Sequence, residues 1–496
     1  MAKSVSVLLV TGECYPFLKT SELADLCYAH ALGSREIGHD LRVMMPKYGF
    51  ISERKNRIHE INRLRDMPIP VGKTESLATV KSSSINNPRV KVQAYITTND
   101  NYLDANKGVL VNNTTGKAFG DNDERFIFFN RTVIETCLLL GWFPDIIQCV
   151  GWQTALLPAY IRTMWPNEFK KTKLIMTIDD FTEQGVFPVK SIAKTGLPSE
   201  VEDILRHKNK MNFLRAGIAY ADAVTTLSPG YAAEITSSKE WKESFQPLMG
   251  KGAKSKKLVG IPHGIDYLQW DPKKDPFMRS KFDANNLTPK MRVREQIQRA
   301  SGLKVDGSAT LASFIGPLTT NYGADVLAKA IPDLVKMGVQ VLVAVPVPTE
   351  HSKAFEALAK KHTGMVALKT GVDEEFVHNA LGGSTLLLKP SKTESSGQFQ
   401  RIALRFGTIP VVRITGGIAE QLTDYNEKAA TGNAFLFKKS DAKELVKAIQ
   451  RAVDLRSKPE AWEALVQQAM ETDVRWSLSA KPYDEFYRAL VKEPKA

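Results

Sequence analysis

Residues 386–422, LLLKPSKTESSGQFQRIALRFGTIPVVRITGGIAEQL, constrain the fold more than any other part of the chain. The short apolar runs Leu386–Leu388 and Ile409–Val412 read as strands buried on both faces of a parallel sheet. A polar loop holding Glu394, Ser395, Ser396 and Gly397 follows the first, and a helix over Phe399–Phe406, ended by Gly407, follows the loop. Thr415-Gly416-Gly417 follows the second strand and opens another predicted helix. Two strand–loop–helix units in succession build an open α/β sheet, and such sheets bind ligands at the carboxyl ends of their strands. Small residues before a helix leave its first N–H groups accessible to an anion such as phosphate. A carboxylate in the first loop beside a phosphate pocket in the second suits a sugar carbon losing a pyrophosphate group. The same pattern also fits an ordinary α/β unit with glycine at its turns.

At 496 residues the chain is too long for one hydrophobic core, so two or more domains are expected. Val5–Val10 reads as a strand, 11–21 as a loop, 22–37 as a helix and Leu41–Met45 as a strand, a doubly wound opening. Residues 57–97 alternate loosely and predict an antiparallel insertion; 99–123 read as a surface loop. Strands over 145–150, 173–178 and 223–226 then alternate with helices over 126–140, 155–164, 213–220 and 230–235. A basic, glycine-containing stretch near 244–257 breaks the pattern and is taken as the interdomain linker. The second half repeats the logic, with strands over 310–315, 339–345 and 366–369 and helices over 324–337 and 352–361. Amphipathic helices over 442–455 and 462–470 precede a last helix over 476–491. Two doubly wound domains facing each other across a cleft are the expected outcome.

Composition narrows the class. Hydrophobic content of 43% and charged content of 24% are those of a globular protein. No apolar run reaches the roughly 20 residues of a membrane span, so no membrane partner is expected. The apolar stretch of MAKSVSVLLVTGE is too short for a signal peptide, which makes the cytoplasm the default location. The net charge of +13 suits phosphorylated ligands as well as nucleic acid. The densest lysine run, 251–257, lacks interleaved aromatics, so it reads as a solvated loop and no nucleic-acid partner is expected. Cys14, Cys27, Cys137 and Cys149 show no metal-like spacing and read as reduced core thiols. Asp179-Asp180 ends a strand and reads as a turn, not a metal pair.

The chain resembles the bacterial glycogen synthase and plant starch synthase family. The residues that carry the likeness are VLLVTGECYPFLKTSELADL at the start, MMPKYG at 44–49, PDIIQCVGWQTALLPAYI at 144–161 and FLRAGIAYADAVTTLSPGYAAEI at 213–235. HGID at 263–266, FGTIPVVRITGG at 406–417 and WSLSAKPYDEFYRAL near the end complete it. The resemblance implies a retaining glycosyltransferase of GT-B type with two Rossmann-like domains. It implies domains over 1–250 (acceptor side) and 258–475 (nucleotide sugar), and a helix over 476–496 that returns to the first domain. It further implies transfer of glucose from ADP-glucose (UDP-glucose in some members) to the non-reducing end of an α-1,4-glucan, with no metal and no cofactor.

The resemblance assigns roles residue by residue. Lys19 matches the lysine of a K-T-G-G loop, where Ser21-Glu22 replaces Gly-Gly. Glu394 matches the acid of E-P-C-G, where Ser395-Ser396 replaces Pro-Cys. These two are the expected catalytic residues. Lys19, Thr415, Gly416, Gly417, Ser396 and Gly397 are the expected nucleotide-sugar contacts, and Asp25, Trp152, Gln153 and His263 the expected sugar and acceptor side. Several positions depart from the pattern. Gln153 stands for the last histidine of H-D-W-H, and Pro317 and Tyr322 for the arginine and lysine of S-R-L-x-x-x-K-G; His263 stands where asparagine is usual. Arg413 and Lys392 are candidate substitutes for the lost cations, and each also reads as a solvated surface charge. Three activities fit: an α-glucan synthase, a non-catalytic paralogue that binds glucan or regulates a synthase, and a transferase using another nucleotide sugar. The whole-chain likeness favours the first.

Overall fold

The computed structural model describes residues 4–105, 108–112, 115–250 and 257–492. The chain forms two compact units, Met1–His263 with Trp476–Ala496, and Gly264–Arg475. No described helix is long and apolar enough to cross a membrane.

In the first unit, seven strands lie parallel in the order Leu258–Gly260, Ala223–Thr226, Lys173–Ile178, Ile146–Val150, Ser6–Val10, Asp40–Pro46 and Lys91–Thr98. Ile146–Val150 and Lys173–Ile178 are buried throughout, which is why their residues are mostly apolar, with Gln148, Lys173 and Thr177 as the exceptions. Strand order reverses at Ser6–Val10: the chain moves first to Asp40–Pro46 on one side and later to Ile146–Val150 on the other. Only part of the expected antiparallel insertion is antiparallel. Thr74–Asn86 pairs in that sense with His59–Glu60, Met67–Val71 and Lys91–Thr98, but Lys91–Thr98 also pairs parallel with Asp40–Pro46.

The described part of the expected linker, residues 244–250, lies within the first unit. Trp241 and Phe245 are buried in the first core, in a helical turn over Trp241–Phe245. Leu258–Gly260 then adds a parallel strand beside Ala223–Thr226. The boundary therefore falls after His263, and residues 258–263 belong to the first unit instead of the second. Residues 251–256 of the expected linker lie outside the described residues.

The last helix, Ser477–Lys492, packs back on the first unit as expected. Tyr487 donates its hydroxyl hydrogen to Gln148 and lies 2.7 Å from His30. A side chain at Gly33 would overlap the Trp476 indole, so glycine in mid-helix makes room for this packing. Burial pulls His30 down to about 3, which keeps this contact neutral. All four cysteines are buried free thiols.

The second unit is a six-stranded parallel sheet in the order Val366–Thr370, Gln340–Val345, Leu311–Ile315, Leu386–Lys389, Ile409–Arg413, Phe435–Phe437. Its order reverses between Leu311–Ile315 and Leu386–Lys389, so the loops after these two strands flank the switch point. Helix Thr288–Ser301 was not legible in the sequence, because its buried face carries Lys290, Arg294 and Gln298 in place of a full apolar stripe. The Lys290 ammonium donates to the Gly382 and Phe406 carbonyls and the Thr408 hydroxyl, which satisfies a charge that burial would otherwise make costly.

Candidate active site

In the first unit, the loop 11–21 leaves the carboxyl end of the central strand, at the reversal of strand order. Glu13 organises it. This carboxylate, only 5% exposed, accepts from the Thr20 N–H at 2.6 Å, the Thr20 hydroxyl at 2.8 Å and the Ser21 hydroxyl. Burial pushes Glu13 up from the usual carboxylate range, and the bonds from Ser21 and Thr20 pull it back. Ser21 also caps helix Glu22–Glu36 by accepting from the Leu23 N–H. The family's Gly-Gly has thus been exchanged for a residue that closes the loop onto the helix. The loop presents Lys19, whose ammonium lies 2.8 Å from the buried Asp25 carboxylate on the first helical turn. The structure brings these two expected residues together. Glu13 was missed; an acid directly after glycine at a strand end is the signal that could have found it.

The next strand end holds Gly151, Trp152 and Gln153. Trp152 sits edge-on to Phe126, Phe187 and Phe213, with ring centroids 5.0, 5.5 and 5.9 Å away. It is a core anchor, and its backbone places Gln153. The Gln153 side chain lies over Gly12 and Gly151: a Cβ at Gly12 would stand 3.5 Å from its Cδ, and one at Gly151 2.6 Å from its Oε1. Gln153 Oε1 is buried and has no hydrogen-bond partner among the described residues. The Asp179 carboxylate, at the end of the third adjacent strand, borders the same spot, 3.4 Å from a Gly151 Cβ. Burial and the neighbouring Asp180 push Asp179 up to about 7.

His263 stands apart from this group. Its Nδ1 faces the Ile261 and Leu227 carbonyls at 2.9 and 3.2 Å, so Nδ1 carries the hydrogen and Nε2 accepts from the Tyr483 hydroxyl at 3.0 Å. Its ring packs on Trp476. These bonds tie it to the final helix, a fastening role that the expected sugar contact did not foresee.

In the second unit, the two loops singled out by the sequence meet. The Gly417 N–H donates to the Glu394 carbonyl at 2.9 Å, and the Thr415 hydroxyl to the Lys392 carbonyl at 3.3 Å. A Cβ at Gly397 would lie 3.4 Å from the Gly417 carbonyl. Glu394 is 4% exposed and accepts from the Ser391 hydroxyl at 3.1 Å. The Ser396 hydroxyl accepts from the Gln398 N–H at 3.2 Å at the start of helix Gln398–Arg405. One expectation is corrected. The segment after Thr415 is a 3₁₀ turn, Gly416–Glu420, not a full helix, and its Gly417 N–H is already spent on Glu394. The helix-dipole contribution to anion binding is smaller there than the sequence suggested.

The candidate substitute cations hold the loops in shape. Arg413 donates to the Ser391, Lys392 and Lys438 carbonyls. Lys392 pairs with Asp325 at 3.5 Å. Arg401, 2% exposed and missed in the sequence, donates to the Ser396 carbonyl and to Gln421. The loop bearing Pro317 and Tyr322 is joined on by the Lys392 N–H, which donates to the Asn321 carbonyl at 2.7 Å.

Comparison with known proteins agrees with this layout. A family model described as starch synthase catalytic domain matches residues 6–250, and one described as glycosyl transferases group 1 matches residues 295–468. Glycogen synthases from Chlorobium phaeobacteroides and Chlorobium phaeovibrioides are each 34% identical over 493 residues, 99% of this chain and 99% of theirs. The catalytic domain of starch synthase IV from Arabidopsis thaliana, bound to ADP and acarbose, superposes with a TM-score of 0.86 at 24% identity, over 99% of this chain and all of that one. With relatives of this identity matching from end to end, the chain belongs to the glycogen and starch synthase family of glucosyltransferases, built on two Rossmann-like domains of GT-B type.

Proposed function

We propose that the chain transfers glucose from ADP-glucose to the non-reducing end of an α-1,4-glucan with retention of configuration. The observation that carries this is the buried Glu394 at the switch point of the second sheet, bonded through its carbonyl to the Thr415–Gly417 turn. In this reading Thr415, Gly416, Ser396 and Gly397 receive the diphosphate. The positive φ of 48° at Gly416 and 69° at Gly397 favours glycine at both points and lets a phosphate approach the backbone. Glu394 faces the positive charge that develops on the glucose carbon as the diphosphate leaves. Lys19, paired with Asp25 at 2.8 Å, is the catalytic cation that the first unit supplies in this reading. Asp25 and Gln153 serve as hydrogen-bond partners for sugar hydroxyls. The residues favour ADP-glucose only through kinship, so the donor base is part of the proposal.

Pro317, Tyr322 and Gln153, which replace an arginine, a lysine and a histidine, favour a second reading: a protein that holds glucan without turning it over. One experiment separates them. Purified chain is incubated with radiolabelled ADP-glucose or UDP-glucose and glycogen, and ADP binding is measured for wild type and Gly416→Trp. Label in glycogen from ADP-glucose, with ADP binding abolished in Gly416→Trp, is expected. No transfer from either donor, with glycogen still retained in a pull-down, would replace the first reading with the second.

A further inference from the structure

Three strand ends of the first sheet meet at one point. Gly12 comes just after Ser6–Val10, Gly151 after Ile146–Val150, and Asp179 after Lys173–Ile178. Gly151 has φ of 78°, and a Cβ there would overlap Gln153 Oε1 at 2.6 Å and stand 3.4 Å from both Asp179 carboxylate oxygens. Glycine therefore leaves open a notch flanked by an amide oxygen and a carboxylate. The Gln153 backbone is held in the turn Trp152–Thr154, where its carbonyl accepts from the Asn130 side-chain amide at 2.7 Å. Its side-chain oxygen is buried and has no donor among the described residues. Asp179 and Asp180 divide their work. Asp180 holds the strand-end turn by accepting from the Thr182 N–H at 2.8 Å and the Thr182 hydroxyl at 2.7 Å. Asp179, which also accepts from the Asp180 N–H, lays both oxygens against the notch. Two acceptors side by side repel, and a buried amide oxygen without a donor costs free energy. A ligand that brings a neutral hydroxyl relieves both, and its bond to a carboxylate is charge-assisted.

We propose that Asp179 is a specificity-determining residue: together with Gln153 it selects a glucose unit by one hydroxyl that donates into the notch. The inference deepens the proposed glucosyl transfer and rests on it for the sugar. The glucose unit belongs either to the nucleotide sugar or to the glucan, and the test separates the two sources. A site built around a substrate hydroxyl discriminates strongly, because a ligand without it leaves buried acceptors unpaired. The Asp179 carboxyl shares its surroundings with Asp180 and Glu183 on its own segment and with the Cys27 thiol of helix Glu22–Glu36. Burial and Asp180 push it up to about 7, so a hydroxyl that favours the ionised form binds better as pH rises through that value.

Transfer from ADP-glucose to maltotetraose is followed at pH 6, 7 and 8 in wild type, Asp179→Asn and Asp179→Leu, with each substrate varied in turn. In wild type the KM of one substrate should fall about fivefold from pH 6 to pH 8, with kcat changing less. If that substrate is ADP-glucose, the donor's glucose occupies the notch; if it is maltotetraose, the glucan's does. Asp179→Asn should make that KM independent of pH, and Asp179→Leu should raise it about tenfold at pH 8. KM values that follow pH identically in wild type and Asp179→Asn overturn the proposal. So does a loss in Asp179→Leu carried by kcat alone, or a pH dependence of both KM values that Asp179→Asn removes together, which would mark a general charge effect. Should Asp179→Leu fail to fold, the comparison with Asp179→Asn decides by itself. If wild type transfers no glucose, the proposed function falls. Calorimetric titration of ADP-glucose and of maltotetraose at pH 6 and 8 then tests the notch with the same expectation for Kd. Binding of neither compound, or binding indifferent to pH and to Asp179→Asn, removes the role of Asp179 as well. Transfer that proceeds while Asp179→Asn and Asp179→Leu both match wild type removes that role alone.

Discussion

The two sheets of this chain reverse their strand order in the same way but line the reversal with opposite charge. In the first unit the groups near the strand ends are carboxyls: buried Glu13 and Asp25 and partly buried Asp179, with Lys19 tied to Asp25. In the second they are mostly cations, buried Lys389 and Arg401 and partly buried Arg413, beside the buried acid Glu394. Carboxylates accept hydrogen bonds from neutral hydroxyls, and cations attract phosphate. One architecture thus offers two chemistries because its strand-end loops differ, not its sheets.

The sharpest way to break that comparison is to neutralise the single buried acid on the cationic side. If Glu394 answers charge on the sugar and not on the phosphate, Glu394→Gln should lower turnover about 10³-fold, about 4 kcal/mol of transition-state stabilisation. ADP affinity should stay within about threefold of wild type. Single-turnover transfer and calorimetry on one preparation check both. A large change in ADP affinity would mean that Glu394 belongs to the phosphate side, and the contrast between the units would collapse.

A smaller effect tests whether the second unit's loops are fixed by their backbones. Gly323 has φ of 80°, and a Cβ there would run into the Pro390 carbonyl, which cannot swing aside. Gly302 has a similar φ of 78° with nothing within 4 Å of its would-be Cβ. Gly302→Ala should therefore cost only the strain of the left-handed backbone, about 1 kcal/mol, and Gly323→Ala about 2–4 kcal/mol. Denaturant midpoints of the two variants measure the difference. Equal costs would show that the loop can yield.

The fold was legible where buried strands are apolar throughout. Leu386–Lys389 and Ile409–Arg413 fall where the sequence placed them, because each is an apolar run that ends in a cation. Thr288–Ser301 was illegible because buried Lys290, Arg294 and Gln298 break the apolar period, and their bonds to carbonyls and side chains become visible only in three dimensions. The stretch near 244–257 misled by its lysines, although Phe245, Leu248 and Met249 within it are core residues. In the candidate site, motif matching found Lys19, Asp25 and Glu394. It did not find Glu13, Arg401 or Lys389, since what distinguishes them is the direction of a side chain at a strand end or helix turn. Lys389 reads as the polar end of an apolar run until its ammonium is seen beneath Gly316.

Asp179 offers the mildest test, and it bears on the acidic side. Its carboxyl borders Gly151 and Gln153, and burial with the charges of Asp180 and Glu183 pushes it from about 3.8 up to about 7. A carboxyl whose value is higher folded than unfolded holds its proton more tightly in the folded state. Its contribution to stability is complete below about 4 and is lost as pH rises through about 7, where the folded protein must carry an unfavourable charge. Asp179→Asn keeps the shape and cannot ionise. It should match wild type near pH 4 and become the more stable of the two by about 1–2 kcal/mol near pH 8, the full linkage value being reduced because Asp179 is only partly buried. Unfolding free energies at pH 4, 6 and 8 give the answer. Curves that stay parallel would show that Asp179 ionises as freely as it does in the unfolded chain. Curves that diverge with pH would show that the first unit maintains its carboxyl cluster against its own charge.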